Sequence, residues 1–181
     1  MGYRHYFTVN EGLSPDKWAD LLEDVREIIL TSKVVVADWE GVGVPEITAD
    51  VIRFNGIGQD SHETFHISRQ PGGFNFCKTA QKPYDEVVTA VLLRAKDYFG
   101  DGLTLASDGT WEEWLPGRDL YWSIFDRHPW KPFGDPEPLT QEDKDLLTDV
   151  VARGLADMEF DGQIDEADRA RALYQHLIQS V

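Results

Sequence analysis

The sequence predicts an α+β fold, with a mainly antiparallel β-sheet of meander and hairpins packed against amphipathic helices, and with a C-terminal helical pair. Three observations predict it. Several short runs, beginning with residues 4–9, are rich in β-branched and aromatic residues. Two longer segments repeat apolar residues with a helical period. Glycine-containing turns separate the successive strands of the central part.

The first helix has the clearest boundaries. Ser14 is a favourable N-cap, and Pro15 suits the first helical position. Apolar residues then recur at spacings of three, four and seven, and they form one buried stripe: Trp18, Leu21, Leu22, Val25, Ile28 and Ile29. The charged residues between them are expected to face water.

The central part reads as a meander. A strand is predicted from Val34, followed by strands at 51–56, 62–69 and 74–79. Pairing the last two across the loop at 70–73 places Ile67 opposite Phe76. One face would then carry Phe65, Ile67, Phe74 and Phe76, and on the other face His66 would lie opposite Cys77.

A second helix follows, with Gly100 as its stop and with a buried stripe of Val87, Val88, Val91, Leu92, Ala95 and Phe99. Asp108-Gly109 predicts a hairpin between strands at 103–107 and 110–114, with a further strand at 120–125. Four prolines make 126–138 a linker. We therefore expect an α+β domain over 1–135 and a C-terminal helical appendage over 136–181, packed on the same core.

The composition makes some classes of function unfavourable. The 181 residues are 41% hydrophobic and carry a formal net charge of -16, which disfavours direct contact with nucleic acid or anionic lipid. No apolar run reaches the length of a membrane span, and the first residues lack the apolar core of a secretory signal. A single cysteine fits a reducing compartment. We expect a cytoplasmic protein without a cofactor.

The charge is concentrated. Residues 101–168 hold 18 Asp and Glu against 5 Lys and Arg, together with a dense run of aromatics. Amphipathic rings supply anchors at protein interfaces, and carboxylates steer a basic partner. The predicted protein-binding residues are Trp111, Glu112, Glu113, Trp114, Asp119, Tyr121, Trp122 and Asp126. The alternative is that the rings are core and the charge only keeps the protein soluble.

Two sequence patterns indicate a metal site or a catalytic site instead. His62, Glu63 and His66 match H-E-x-x-H, which binds zinc when the segment is a helix. Here the neighbouring apolar residues alternate as in a strand, which favours a chance match. Cys77 beside a histidine would offer a nucleophile, although a lone cysteine is more often a small buried hydrophobe. No catalytic residue and no metal ligand is assigned.

The runs FNG, SHETF and FCKTAQKPYD resemble a family of uncharacterised proteins of bacteria and their phages, over roughly residues 1–126. The resemblance implies no catalytic residues, but a phage context favours an inhibitor of host defence. The leading hypothesis is a non-enzymatic acidic protein that binds and inhibits a basic, nucleic-acid-handling host protein, as anti-CRISPR or anti-restriction proteins do. The alternative is a small zinc metallohydrolase built on the HETFH segment.

Overall fold

The computed structural model describes residues 2–134, 141 and 144–148. The chain divides into two compact units, Met1–Asp135 and Pro136–Val181, and the strands and helices named below belong to the first. The predicted C-terminal helices lie outside the described residues, except that 141 and 144–148 are helical. Within the described part, no helix is long and apolar enough to cross a membrane.

The α+β prediction is confirmed. The described part contains the strands and helices β1 (Arg4–Val9), α1 (Pro15–Thr31), β2 (Val36–Ala37), β3 (Glu46–Ile47), β4 (Val51–Gly56), β5 (Phe65–Ser68), β6 (Phe74–Lys78), α2 (Asp85–Phe99), β7 (Leu103–Ser107) and α3 (Leu115–Phe125).

Strand β1 is the centre of an antiparallel sheet with the order β6-β1-β7. Its side chains alternate: His5, Phe7 and Val9 are buried, whereas the residues between them point to the opposite face. Tyr6 pairs with Phe76 on one side and with Ala106 on the other, so these three residues share the outer face. The sheet therefore has one face in the core and one open face.

A second antiparallel sheet is built around β4, which pairs with β2, β3 and β5. Ile52 lies opposite Ile67 and Phe54 opposite Phe65, and all four side chains are buried. Helices α1 and α2 complete the same hydrophobic core. The predicted start of α1 is confirmed, since the Ser14 hydroxyl accepts a hydrogen bond from the Lys17 amide at 3.4 Å.

The predicted pairing of 62–69 with 74–79 is wrong. Strand β6 pairs with β1, and β5 pairs with β4, so Phe65 and Ile67 are core while Phe74 and Phe76 are exposed. The loop that looked like a hairpin connection instead leads to another sheet, and the amide of Gly72 donates to the Val9 carbonyl at 3.2 Å. The prediction paired β6 with β5, its neighbour along the chain. In the fold β6 instead pairs with the distant β1, the central strand of its sheet.

The segment after β7 also differs from the prediction. The Asp108-Gly109 turn does not return as a strand; residues 110–114 lead into α3, which includes the predicted strand at 120–125. The apolar residues of that run are spaced for a helix, with Leu120 and Tyr121 buried and Ile124 and Phe125 packed against the core. Their high strand propensity was overridden by this burial.

Candidate protein-interaction site

Helix α3 divides the acidic aromatic segment into an inner and an outer face. On the inner side, Trp111, Trp114 and Tyr121 are at most 5% exposed. The Trp114 ring packs on Phe133 with ring centroids 4.7 Å apart, and the Tyr121 hydroxyl donates to Asp97 Oδ2 at 2.5 Å. The expectation that these three rings are exposed anchors is wrong, because they fill the core.

The outer side of this segment carries five exposed residues at spacings of three and four: Glu112, Leu115, Asp119, Trp122 and Asp126. We call this set the α3 stripe. Leu115, Asp119 and Trp122 lie on one face of α3, whereas Glu112 precedes the helix and Asp126 caps its C-terminal end. Leu115 and Trp122 are each 48% exposed, so two large apolar side chains alternate along the stripe with three carboxylates.

The stripe carboxylates are available to a partner. Across the described residues, the side chains of Glu112, Asp119 and Asp126 form no salt bridge. Their neighbours are used internally: Asp108 accepts from the Tyr6 hydroxyl at 2.9 Å, and Glu113 accepts from the Thr110 amide at 2.8 Å. Asp108 and Glu113 are exposed as well, so the solvent-facing negative charge here is that of the stripe together with these two carboxylates.

The end of α3 fixes the position of Trp122. Its ring stacks on His128 at 6.0 Å with an interplanar angle of 13°. Asp126 turns the chain with a φ of 49°, a left-handed conformation that Asp tolerates, and its amide donates to the Trp122 carbonyl at 2.9 Å. Arg127 is held by Asp97 at 2.7 Å. An anchor fixed before binding loses less conformational freedom on binding.

Most acidic residues of the predicted 101–168 segment lie beyond residue 134. Of its 18 acidic residues, 6 lie within 101–134 together with 3 of its 5 basic residues. The larger part of the charge excess thus belongs to residues 135–168, nearly all outside the described residues. The structural case for an acidic docking face rests on the α3 stripe.

The HETFH segment forms no zinc site. His62 is exposed ahead of β5, His66 lies on β5 opposite Arg53, and Glu63 Oε2 accepts from the Lys78 amide at 2.8 Å. In a strand, residues four apart do not converge as they do on one helical turn. Throughout the described part of the chain, no three His, Cys, Asp or Glu side chains come together as metal ligands.

Cys77 does not lie opposite His66. Its register partner is His5, and its thiol donates to the Glu63 carbonyl at 3.3 Å. Burial raises the pKa of the Cys77 thiol to about 12, so the thiolate needed by a nucleophile is scarce at neutral pH. The alternative interpretation, a small buried hydrophobe, describes this residue.

A buried polar cluster was missed by the sequence analysis. His5 Nε2 lies 2.7 Å from Asp85 Oδ1, and His5 Nδ1 lies 3.0 Å from Ser107 Oγ. Ser107 Oγ also accepts from the Gly109 amide at 2.9 Å and from Trp114 Nε1 at 3.2 Å. With two N–H donors on this oxygen, the single proton of the Ser107 hydroxyl can be donated either to His5 Nδ1 or to the Arg4 carbonyl at 3.5 Å.

This cluster has the composition of a hydrolase triad but not its access. A nucleophilic serine needs an open approach to its oxygen. Ser107 Oγ instead contacts four partners, His5 Nδ1, the Arg4 carbonyl, the Gly109 amide and Trp114 Nε1, and His5 is fully buried. The cluster joins β1, β7 and the start of α2, and we assign it a structural role. No local signal reveals it, because its members are 80 and 102 positions apart.

Comparison with known proteins gives no assignment, since no family model, no curated protein and no solved structure matches the chain. Function is therefore inferred from the residues of this chain.

Proposed function

We propose that this chain is a non-enzymatic protein that binds a basic, nucleic-acid-handling protein through the α3 stripe and inhibits it. One observation carries the proposal: a half-exposed Trp122 stands between Asp119 and Asp126, whose carboxylates make no ion pair within the described residues.

Binding would combine a buried tryptophan anchor with electrostatic attraction of the partner. Tryptophan is over-represented among the residues that dominate binding energy, because its large ring is desolvated in a pocket of the partner. The stripe carboxylates would attract a surface rich in Lys and Arg and raise the association rate. A surface that accepts phosphates also accepts carboxylates, so the bound chain would exclude nucleic acid from it.

The class of protein that these features fit is an anti-defence inhibitor of the anti-CRISPR or anti-restriction type, acting in the cytoplasm. The net charge of -16 supports this part of the proposal, because an acidic chain can occupy a basic surface that receives nucleic acid. The zinc-hydrolase alternative receives no support from the geometry, because HETFH supplies no ligand set.

The first test is differential capture from a bacterial lysate. Tagged wild-type chain is compared with a Trp122→Ala variant and with an Asp119→Asn, Asp126→Asn double variant. Matched controls are Trp39→Ala, an exposed tryptophan outside the stripe, and Asp20→Asn on the exposed face of α1.

Support requires a nucleic-acid-binding protein that wild type and both controls retain at low salt and both stripe variants lose. The purified partner must also release its nucleic acid when the chain is added. A captured protein that the stripe variants retain equally well would refute the assignment of the site.

A further inference from the structure

The open face of the β6-β1-β7 sheet carries an aromatic cluster. Phe74 is 68% exposed and Phe76 is 49% exposed, and both lie beside Tyr6. The ring centroids of Tyr6 and Phe74 are 5.9 Å apart, those of Tyr6 and Phe76 are 6.5 Å apart, and those of the two phenylalanines are 6.3 Å apart. Exposing three clustered aromatic rings to water costs free energy, and exposed apolar patches of this kind mark binding sites.

Two cations border these rings. Arg4 and Lys78 are register partners one row further along the same face. The Arg4 guanidinium lies 6.0 Å from the centroid of the Phe76 ring. The ends of the two side chains lie close together beside Gly2. A Cβ atom placed on Gly2 would lie 3.1 Å from Arg4 Nη1 and 2.7 Å from Lys78 Cε. Neither cation forms a salt bridge with another of the described residues.

The acidic groups beside these cations are engaged by backbone amides. The Asp108 carboxylate accepts from the Arg4 amide at 3.1 Å as well as from Tyr6, and Glu63 accepts from the Lys78 amide. Two cations that repel one another are therefore held next to exposed rings in a chain whose overall charge is negative. A ligand that carries both a negative charge and a flat apolar ring would complement these cations and these aromatic side chains.

We propose that this face binds a short single-stranded nucleic acid. Bases would stack on Phe74, Phe76 and Tyr6, and the phosphates between them would pair with Arg4 and Lys78, since single strands are held by aromatic stacking combined with backbone charge. An acidic peptide matches the cations but offers fewer flat groups. The proposal does not rest on the proposed function, which concerns a different surface.

The net charge of -16 disfavours nucleic acid in general, so binding at this face depends on the two local cations and on stacking. A duplex conceals the faces of its bases, which cannot then stack on the three rings, so the face selects single strands. Because two cations contact phosphate, the logarithm of the affinity should fall with the logarithm of the salt concentration with a slope of about -1.4. That is much shallower than for a basic groove.

The test uses the full chain and fluorescein-labelled oligothymidine and oligoadenine, with binding followed by anisotropy at low salt. Phe74→Ala and Phe76→Ala should each weaken binding roughly 5- to 150-fold. Lys78→Gln should weaken it and flatten the salt dependence. Asp108→Asn keeps one side-chain oxygen to accept from the Arg4 amide, and its NH2 group can donate to the Tyr6 hydroxyl. The substitution removes a repelling charge, so it should strengthen binding.

Controls separate this face from the rest of the surface. Trp39→Ala and Lys17→Gln should leave oligonucleotide binding unchanged, and circular dichroism checks that each variant is folded. The proposal is overturned if no oligonucleotide binds, if Phe74→Ala binds as wild type does, if duplex binds equally well, or if an acidic aromatic peptide is preferred.

Discussion

His5 Nε2 lies 2.7 Å from Asp85 Oδ1, and this contact joins the central strand of the sheet to the start of α2. The Thr79 hydroxyl donates to the same carboxylate oxygen. His5 is fully buried and the Asp85 side chain is 14% exposed. Polar groups so well paired in the core stabilise the fold only as a complete set, because losing one member leaves the others unpaired.

His5→Ala should therefore lower the free energy of unfolding by about 1–3 kcal/mol, the cost typical of leaving a buried polar group without its hydrogen-bond partner. Urea unfolding followed by circular dichroism measures this. Thr8→Ala, on the same strand but on its open face, is the control and should cost far less. A loss for His5→Ala no larger than that of the control would refute the structural role of the cluster.

Ser107 should not react with fluorophosphonate probes that label active serine hydrolases. Its oxygen accepts from the Gly109 amide and from Trp114 Nε1, and its hydroxyl is bonded to His5 or to the Arg4 carbonyl, so the oxygen is not free to attack the probe. Mass spectrometry of the treated protein detects the adduct, with a known serine hydrolase as the positive control. Stoichiometric labelling that disappears in Ser107→Ala would show that the serine is catalytic after all.

Cys77 should be inert to thiol reagents in the folded protein at neutral pH, because the side chain is buried and its pKa is raised to about 12. Labelling with a disulfide reagent should become rapid only in denaturant. Fast labelling of the native protein would contradict the buried position.

The same pKa shift predicts a dependence of stability on pH. The folded-state pKa lies above the ordinary thiol value of 9.0, so folding favours the protonated thiol. The associated stability is present below pH 9 and is lost as the pH rises toward 12. Cys77→Ala should therefore lose less stability than wild type over this interval, as measured by urea unfolding at a series of pH values. Parallel losses in the two proteins would contradict the shift.

The parts of the fold that local signals determine were predictable. Helix α1 begins with its capping serine and carries its apolar stripe, and α2 ends at Gly100 as predicted. The order of the strands was not predictable in the same way. β6 could pair with its neighbour β5 or with the distant β1, and which pairing buries more apolar surface depends on the whole core.

The same distinction applies to the site. The sequence placed acidic and aromatic residues in one segment, but it did not show that the segment is a helix with Trp114 inside and Trp122 outside. Reading α3 as a strand concealed the 3–4 spacing that aligns Leu115, Asp119 and Trp122. The open aromatic face was missed because Phe74 and Phe76 were assigned to the core through the wrong register.

The most direct test of the central claim is the affinity of the purified partner for the chain and its stripe variants, measured by calorimetry at two salt concentrations. Trp122→Ala should weaken binding by at least 2 kcal/mol, roughly 30-fold, as for a dominant interface residue, while leaving unfolding nearly unchanged because the ring is half exposed. Asp119→Asn with Asp126→Asn should reduce the salt dependence. Equal affinities for wild type and Trp122→Ala would contradict the assignment of the α3 stripe as the binding surface.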